Sequence, residues 1–171
     1  QSSISGNTAA GDNGGGMYLE GSGLTVSWSS IDGNAAANDG GGVCSVLFSS
    51  VVLTEGSSVD RNVAGDDGGG VYSKESSVDV SNQSSISGNT AAGDNGGGMY
   101  LEGSGLTVSW SSIDGNAAAN DGGGVCSVLF SSVVLTEGSS VDRNVAGDDG
   151  GGVYSKESSV DVSNQSSISG N

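Results

Sequence analysis

The sequence predicts an all-β fold: a right-handed parallel β-helix solenoid with three short strands in each rung of 27–28 residues, about six rungs in all. Three observations predict it. Residues 1–82 recur letter for letter as 83–164, and 165–171 begin a third copy. Each 82-residue unit holds three weaker repeats, anchored by Ser-Ile-Ser-Gly-Asn ending at Asn7, Ser-Ile-Asp-Gly-Asn ending at Asn34 and Ser-Val-Asp-Arg-Asn ending at Asn62. The next anchor ends at Asn89, so the spacings are 27, 28 and 27. Finally, apolar residues alternate with a period of two, as strands require. Residues 1–171 therefore read as one continuous solenoid.

The first strand of each rung carries the anchor, with Ile4, Ile31, Val59 and Ile86 as an inward stripe. Equivalent residues of neighbouring rungs stack at about 4.8 Å. The column Asn7, Asn34, Asn62 and Asn89, continued by Asn116 and Asn144, suits an amide ladder in which each side chain bonds the next. An Ala-containing acidic stretch follows, then a glycine triplet: Gly14 to Gly16, Gly40 to Gly42, Gly68 to Gly70. Such triplets mark turns that need positive φ or close backbone approach. The second strand opens on Met17, Val43 or Val71, followed by Tyr18, Cys44 or Tyr72. The third carries the pairs Leu24 and Val26, Val51 and Leu53, Val78 and Val80. Helix competes poorly, because each glycine costs it roughly 1 kcal/mol and no stripe of 3.6-residue period spans a rung. An antiparallel sandwich accounts for the apolar pairs but not for anchors that return every rung. The absence of proline fits a backbone whose N–H groups are needed for ladders.

Charge narrows the function. Twenty acidic residues face four basic ones, a net charge of −16, which argues against nucleic-acid partners and anionic membrane surfaces. Regularly spaced Val, Ile and Leu separate the chain from acidic disordered sequences. No apolar run is long enough to span a bilayer, and no signal peptide is evident, so membrane insertion is not expected. Catalysis is not expected either. There is no His, and Arg61, Lys74, Arg143 and Lys156 are the only cations. No nucleophile set or phosphate-cradling loop with a lysine is present.

These residues resemble the repeats of the chlamydial polymorphic outer-membrane proteins and related bacterial and algal surface proteins. The family pattern is an apolar residue two before Gly-Asn, an Ala-rich turn, then Gly-Gly-(Ala or Gly)-apolar. It stands here as Ile4-Ser5-Gly6-Asn7-Thr8-Ala9 with Gly14-Gly15-Gly16-Met17-Tyr18. It recurs as Ile31 to Asn34 with Gly40 to Val43, and as Val59 to Asn62 with Gly68 to Val71. The pattern covers the chain six times and implies the parallel β-helix; such repeats serve passenger stalks and adhesins alike. Two departures stand out: the usual Phe is Ile or Val, and no membrane barrel accompanies the repeats. Outer-membrane anchoring is therefore not expected of this segment.

Four groups of residues are candidates for chemistry. Asp12, Asp39, Asp66 and Asp67 recur just before the glycines; stacked carboxylates with backbone carbonyls are oxygen ligands of the kind Ca²⁺ prefers. Like charges about 5 Å apart give such binding a motive, and the plain alternative is a solvated acidic edge. No other cofactor is suggested. Cys44 and Cys126 occupy one column three rungs apart, about 14 Å, beyond disulfide reach. Aligned with Tyr18 and Tyr72, they are expected to face outward, either as plain stacked side chains or as inter-chain crosslinks. Asn82-Gln83-Ser84 and Asn164-Gln165-Ser166 are glycan acceptor patterns, making a covalent glycan at Asn82 and Asn164 a candidate partner. Trp28 with Tyr18 is the one aromatic pair suited to adhesion, although Trp28 also reads as an inward extension of the Leu24/Val26 strand.

Neither end departs from the repeat, whereas solenoids normally carry atypical polar caps. The expectation is a structural repeat segment of an extracellular or cell-surface filament, uncapped, with further copies of itself end to end. The alternative is an adhesin or passenger-stalk binding module.

Overall fold

A computed structural model describes residues 2–171 and contains strands only among them. The first rung holds four strands: β1 (Ser3–Ser5), β2 (Thr8–Ala9), β3 (Met17–Glu20) and β4 (Gly23–Ser27). The same four recur rung after rung, and each pairs in parallel with its counterparts above and below. The chain thus builds a parallel β-solenoid of about six turns with four faces, one sheet of seven strands and three of six. Register follows the spacing of the anchors: Ile4 pairs with Ile31, Ile31 with Val59, and Ile86 with Val59 and Ile113.

Three strands per rung was one too few. The missed strand, β2, is two residues long, too short for any alternation to show. Its second residue is alanine throughout; Ala36, Ala64, Ala91 and Ala118 point inward and are buried. The glycine triplet of one rung closes on this face in the next: a Cβ on Gly15 would collide with the Ala35 carbonyl oxygen.

The core is a bundle of columns rather than a ball. Ile31, Val59, Ile86, Ile113 and Val141 make one stripe, and the Val/Met residues that open the β3 strands a second. The paired apolar residues of the β4 strands make two more. Fully burying such a side chain contributes about 1.5–3 kcal/mol. Each rung depends on its neighbours for this burial: Val80 and Leu135 are fully covered, while their counterpart Val162 in the last turn is 44 % exposed.

The triplets show why three glycines are required. Gly40 has φ +66°, a left-handed turn. A Cβ on Gly41 would lie 2.5 Å from the carbonyl oxygens of Gly69 and Val63. A Cβ on Gly42 would lie 2.7 Å from the Gly70 oxygen and 3.1 Å from Cγ of Asn62. The second and third glycines therefore let successive turns close on one another and leave room for the asparagine column.

Candidate functional site

The asparagine column lies inside the coil, at the corner between the β1 and β2 faces. Asn7 Nδ2 donates to Asn34 Oδ1 at 2.9 Å, Asn34 to Asn62 at 3.0 Å and Asn62 to Asn89 at 3.0 Å. Asn89, Asn116 and Asn144 continue the series at 2.9, 2.9 and 3.0 Å, the last ending on Asn171. The second proton of each interior amide goes to a β1 carbonyl of the rung before, as from Asn62 to Ile31 at 3.1 Å. The backbone N–H of each asparagine also donates to the next Oδ1, as Asn62 does to Asn89 at 3.0 Å. Buried polar groups are tolerated only when paired, and here every side-chain donor is used.

Three further ladders went unread in the sequence. Ser29, Ser57, Ser84, Ser111 and Ser139 form one at the β4–β1 corner, each hydroxyl accepting the N–H of the preceding rung. Ser49, Ser76, Ser104 and Ser131 form another at the β3–β4 corner. Their signal was a serine doublet at most corners, the first member buried in the ladder and the second on the outer face. The third ladder runs through Asn13, Asp39, Asp67, Asn95, Asp121 and Asp149, in the opposite sense: each backbone N–H donates to the side chain of the rung before.

That last ladder absorbs half of the calcium candidates. Asp39 and Asp67 sit in it, whereas Asp12 and Asp66 stack in the adjoining column, their backbones joined through Asn38. Among the described residues no three acidic, Cys or His side chains converge as a metal site. Asn13 and Asn95 interrupt the run of charges, so the carboxylates serve as amide-like rungs. Burial pushes the carboxyl of Asp67 up to about 6; the charges of Asp94 and Asp39 add to this, while the N–H of Asn95 opposes it. Asp39 is raised too, burial first, with Asp66, Asp12 and Asp94 adding to it and the N–H of Asp67 opposing.

Cys44 and Cys126 do not present free thiols to solvent. They are 0 % and 2 % exposed, Cys44 in register between Tyr18 and Tyr72 and Cys126 between Tyr100 and Tyr154. Burial, with Asp39 and Asp12 nearby, pushes the Cys44 thiol up to about 12, so it is protonated and unreactive at neutral pH. In the same column Tyr72 and Tyr100 stack with ring centres 5.3 Å apart and nearly parallel planes.

The outer corners carry the exposed aromatics. Trp28 does not extend the β4 strand inward: it turns out at φ 50° and is 65 % exposed, and Trp110 is 61 % exposed. Phe48 and Phe130, at the β3–β4 corner, protrude further still. The acceptor-pattern residues Asn82 and Asn164 are also exposed, on the same corner as the tryptophans, and their Nδ2 atoms donate to Thr54 and Thr136 at 3.0 Å. A scan against protein-family models, a search of curated proteins and a search of solved structures each find no match to this chain.

Proposed function

We propose that this chain is the structural repeat segment of an extracellular filament or rod, with further copies of the repeat end to end and with Asn82 and Asn164 carrying covalent glycan. The observation that carries the reading is the unbroken asparagine ladder, which links every turn by the same bonds. Because the 82-residue unit repeats letter for letter, each added unit meets the previous one through identical surfaces. Such an array lengthens without changing its geometry, which is what stiffness and extension require. Its net charge of −16 and serine-rich outer face favour solubility of a long rod. The right hand of the coil and kinship with the chlamydial surface repeats belong to the same reading. They rest on the Gly-Asn and Gly-Gly-Gly-apolar pattern and on the strong right-handed bias of parallel crossovers.

Chains of two, four and eight units test it. Small-angle scattering is expected to show maximum dimension growing linearly, by about 14 Å per unit at three rungs of about 4.8 Å. Growth that levels off, as for a chain folding back on itself, would remove the rod. A second reading, a surface adhesive module, is favoured by the exposed Trp28 and Phe48 at the corners. In that case soluble chain binds a surface partner without assembling.

A further inference from the structure

The corner between the β4 and β1 faces repeats a three-rung constellation. In one copy Trp110, Gly138 and Asn164 occupy successive rungs; in the other, Trp28, Gly56 and Asn82 do. The stacking is direct: the Gly138 N–H donates to the Asn164 carbonyl at 2.8 Å, and the Gly56 N–H to the Asn82 carbonyl at 2.9 Å. Gly138 has no side chain and its rung's other corner residue is Glu137, so the corner has a floor edged by a carboxylate between asparagine and tryptophan. Over that floor the Trp110 benzo ring leans forward, its Cζ3 4.0 Å from where a Cβ on Gly138 would stand. Asn164 points its amide back toward the same floor, donating to Thr136 Oγ1 at 3.0 Å and to Glu137 Oε1 at 3.5 Å, both in the glycine's rung; the second of these protons is the one a glycan would replace. Trp110, Glu137, Gly138, Asn164 and Gln165 together line a cleft of about 310 Å³, within the size range of small-ligand sites.

We propose that this cleft seats the first sugar of a glycan linked to Asn164. The proposal rests on the glycosylated reading above and adds where the sugar lies and what holds it. Asparagine and tryptophan are two rungs apart, roughly 9.6 Å, enough for one pyranose between them. The indole face packs against the C–H face of the ring, and the Gln165 amide and Glu137 carboxylate offer partners to its hydroxyls. No cation lines the cleft and Glu137 does, so the sugar is neutral.

Attachment joins Nδ2 to the anomeric carbon of an activated glycosyl diphosphate. The carbon–oxygen bond to diphosphate breaks, the diphosphate leaves with the electron pair, and the amide loses one proton. The remaining N–H keeps the bond to Thr136 or Thr54. In the folded chain the acceptor-pattern hydroxyl of Ser84 is buried and donates to the Ser81 carbonyl at 2.7 Å. Transfer to Asn82 therefore precedes closure of the corner.

The test is secretion of the full 171-residue chain from a eukaryotic host, with Trp110→Ala, Trp110→Phe and Trp28→Ala beside it. Peptide mapping is expected to find glycan at Asn82 and Asn164 in all four. In the parent, proton NMR is expected to show sugar-ring signals shifted upfield by the indole at Asn164. Trp110→Ala abolishes the shift at Asn164 and speeds enzymatic release of that glycan roughly threefold to tenfold, while Trp110→Phe retains part of both effects. Trp28→Ala leaves both the shift and the release rate at Asn164 unchanged. Unmodified Asn82 and Asn164 would overturn glycosylation itself. Modified asparagines with unshifted sugar signals and unaltered release in Trp110→Ala would overturn the seat alone, leaving glycosylation standing.

Discussion

Every polar atom of the Asn62 side chain is engaged inside the stack. Its Oδ1 accepts from the N–H and the amide of Asn34, and its own amide donates to Ile31 and Asn89. Asn62→Ala leaves two donors of Asn34 and one carbonyl unpaired in a site closed to water. A buried group without its partner costs about 1–3 kcal/mol, so the substitution is expected to destabilise by about 3–5 kcal/mol. Asn62→Asp fares no better, since a carboxylate cannot donate to Asn89. Urea unfolding followed by circular dichroism measures both; a loss below about 1 kcal/mol would show that the ladder contributes little. The same scale explains why some residues were legible in the sequence and others were not. An asparagine recurring at a fixed place after an apolar residue has few explanations other than a stack. Serine is common in turns of every kind, so its buried ladders were hidden among exposed neighbours. Cys44 and Trp28 stayed open in the sequence for one reason. Strand alternation decides which way a residue points, but not whether an adjacent turn folds over it or the strand ends at a left-handed corner.

At the scale of the element, the glycine turn decides whether a rung closes. Gly41→Ala places a methyl group against two backbone oxygens, neither of which has a flexible end to move aside. A cost of about 3 kcal/mol or more is expected, with loss of sheet signal around the substituted turn. Gly11→Ala is the control: a Cβ there meets nothing within 4 Å, and a change within about 0.5 kcal/mol is expected. Hydrogen exchange on the two variants separates a local opening from global unfolding. The acidic ladder makes a second prediction. Asp67 titrates near 6 in the folded chain, above its ordinary value, so the folded state holds this proton more tightly than the unfolded state does. Its contribution to stability is full below about pH 4 and is lost as pH rises through about 6. The unfolding midpoint is therefore expected to fall over that window. Asp67→Asn keeps the accepting oxygen, as Asn13 and Asn95 already do, and removes the charge. At pH 7 it is expected to raise stability by on the order of 1 kcal/mol and to flatten the slope. A steeper slope in the variant would contradict this account of the turn.

For the whole molecule, topology was readable because the repeat is so regular. Four anchors at nearly equal spacing fix which strands are neighbours, and period-two pairs fix which side faces in. The fourth face escaped notice because two residues carry no pattern, and the outer corners because nothing in the repeat constrains them. Those corners hold what varies within a unit: Trp28, Phe48, Asn82 and the charged residues between them. Inner columns, by contrast, exchange mostly one apolar residue for another; Ser45 and Ser73, standing where Leu19 and Leu101 occur, are the buried polar exceptions. On the proposed reading, extension is the work of the ladders and core columns, and modification belongs to the edges. The rod reading stands on the first and does not depend on the second.

Electron cryo-microscopy of the native material tests that reading most directly. The account predicts filaments whose power spectrum shows a layer line near 4.8 Å from the rungs and another near 14 Å from the three-rung unit. Short, capped particles of uniform length, with no filament among them, would contradict it.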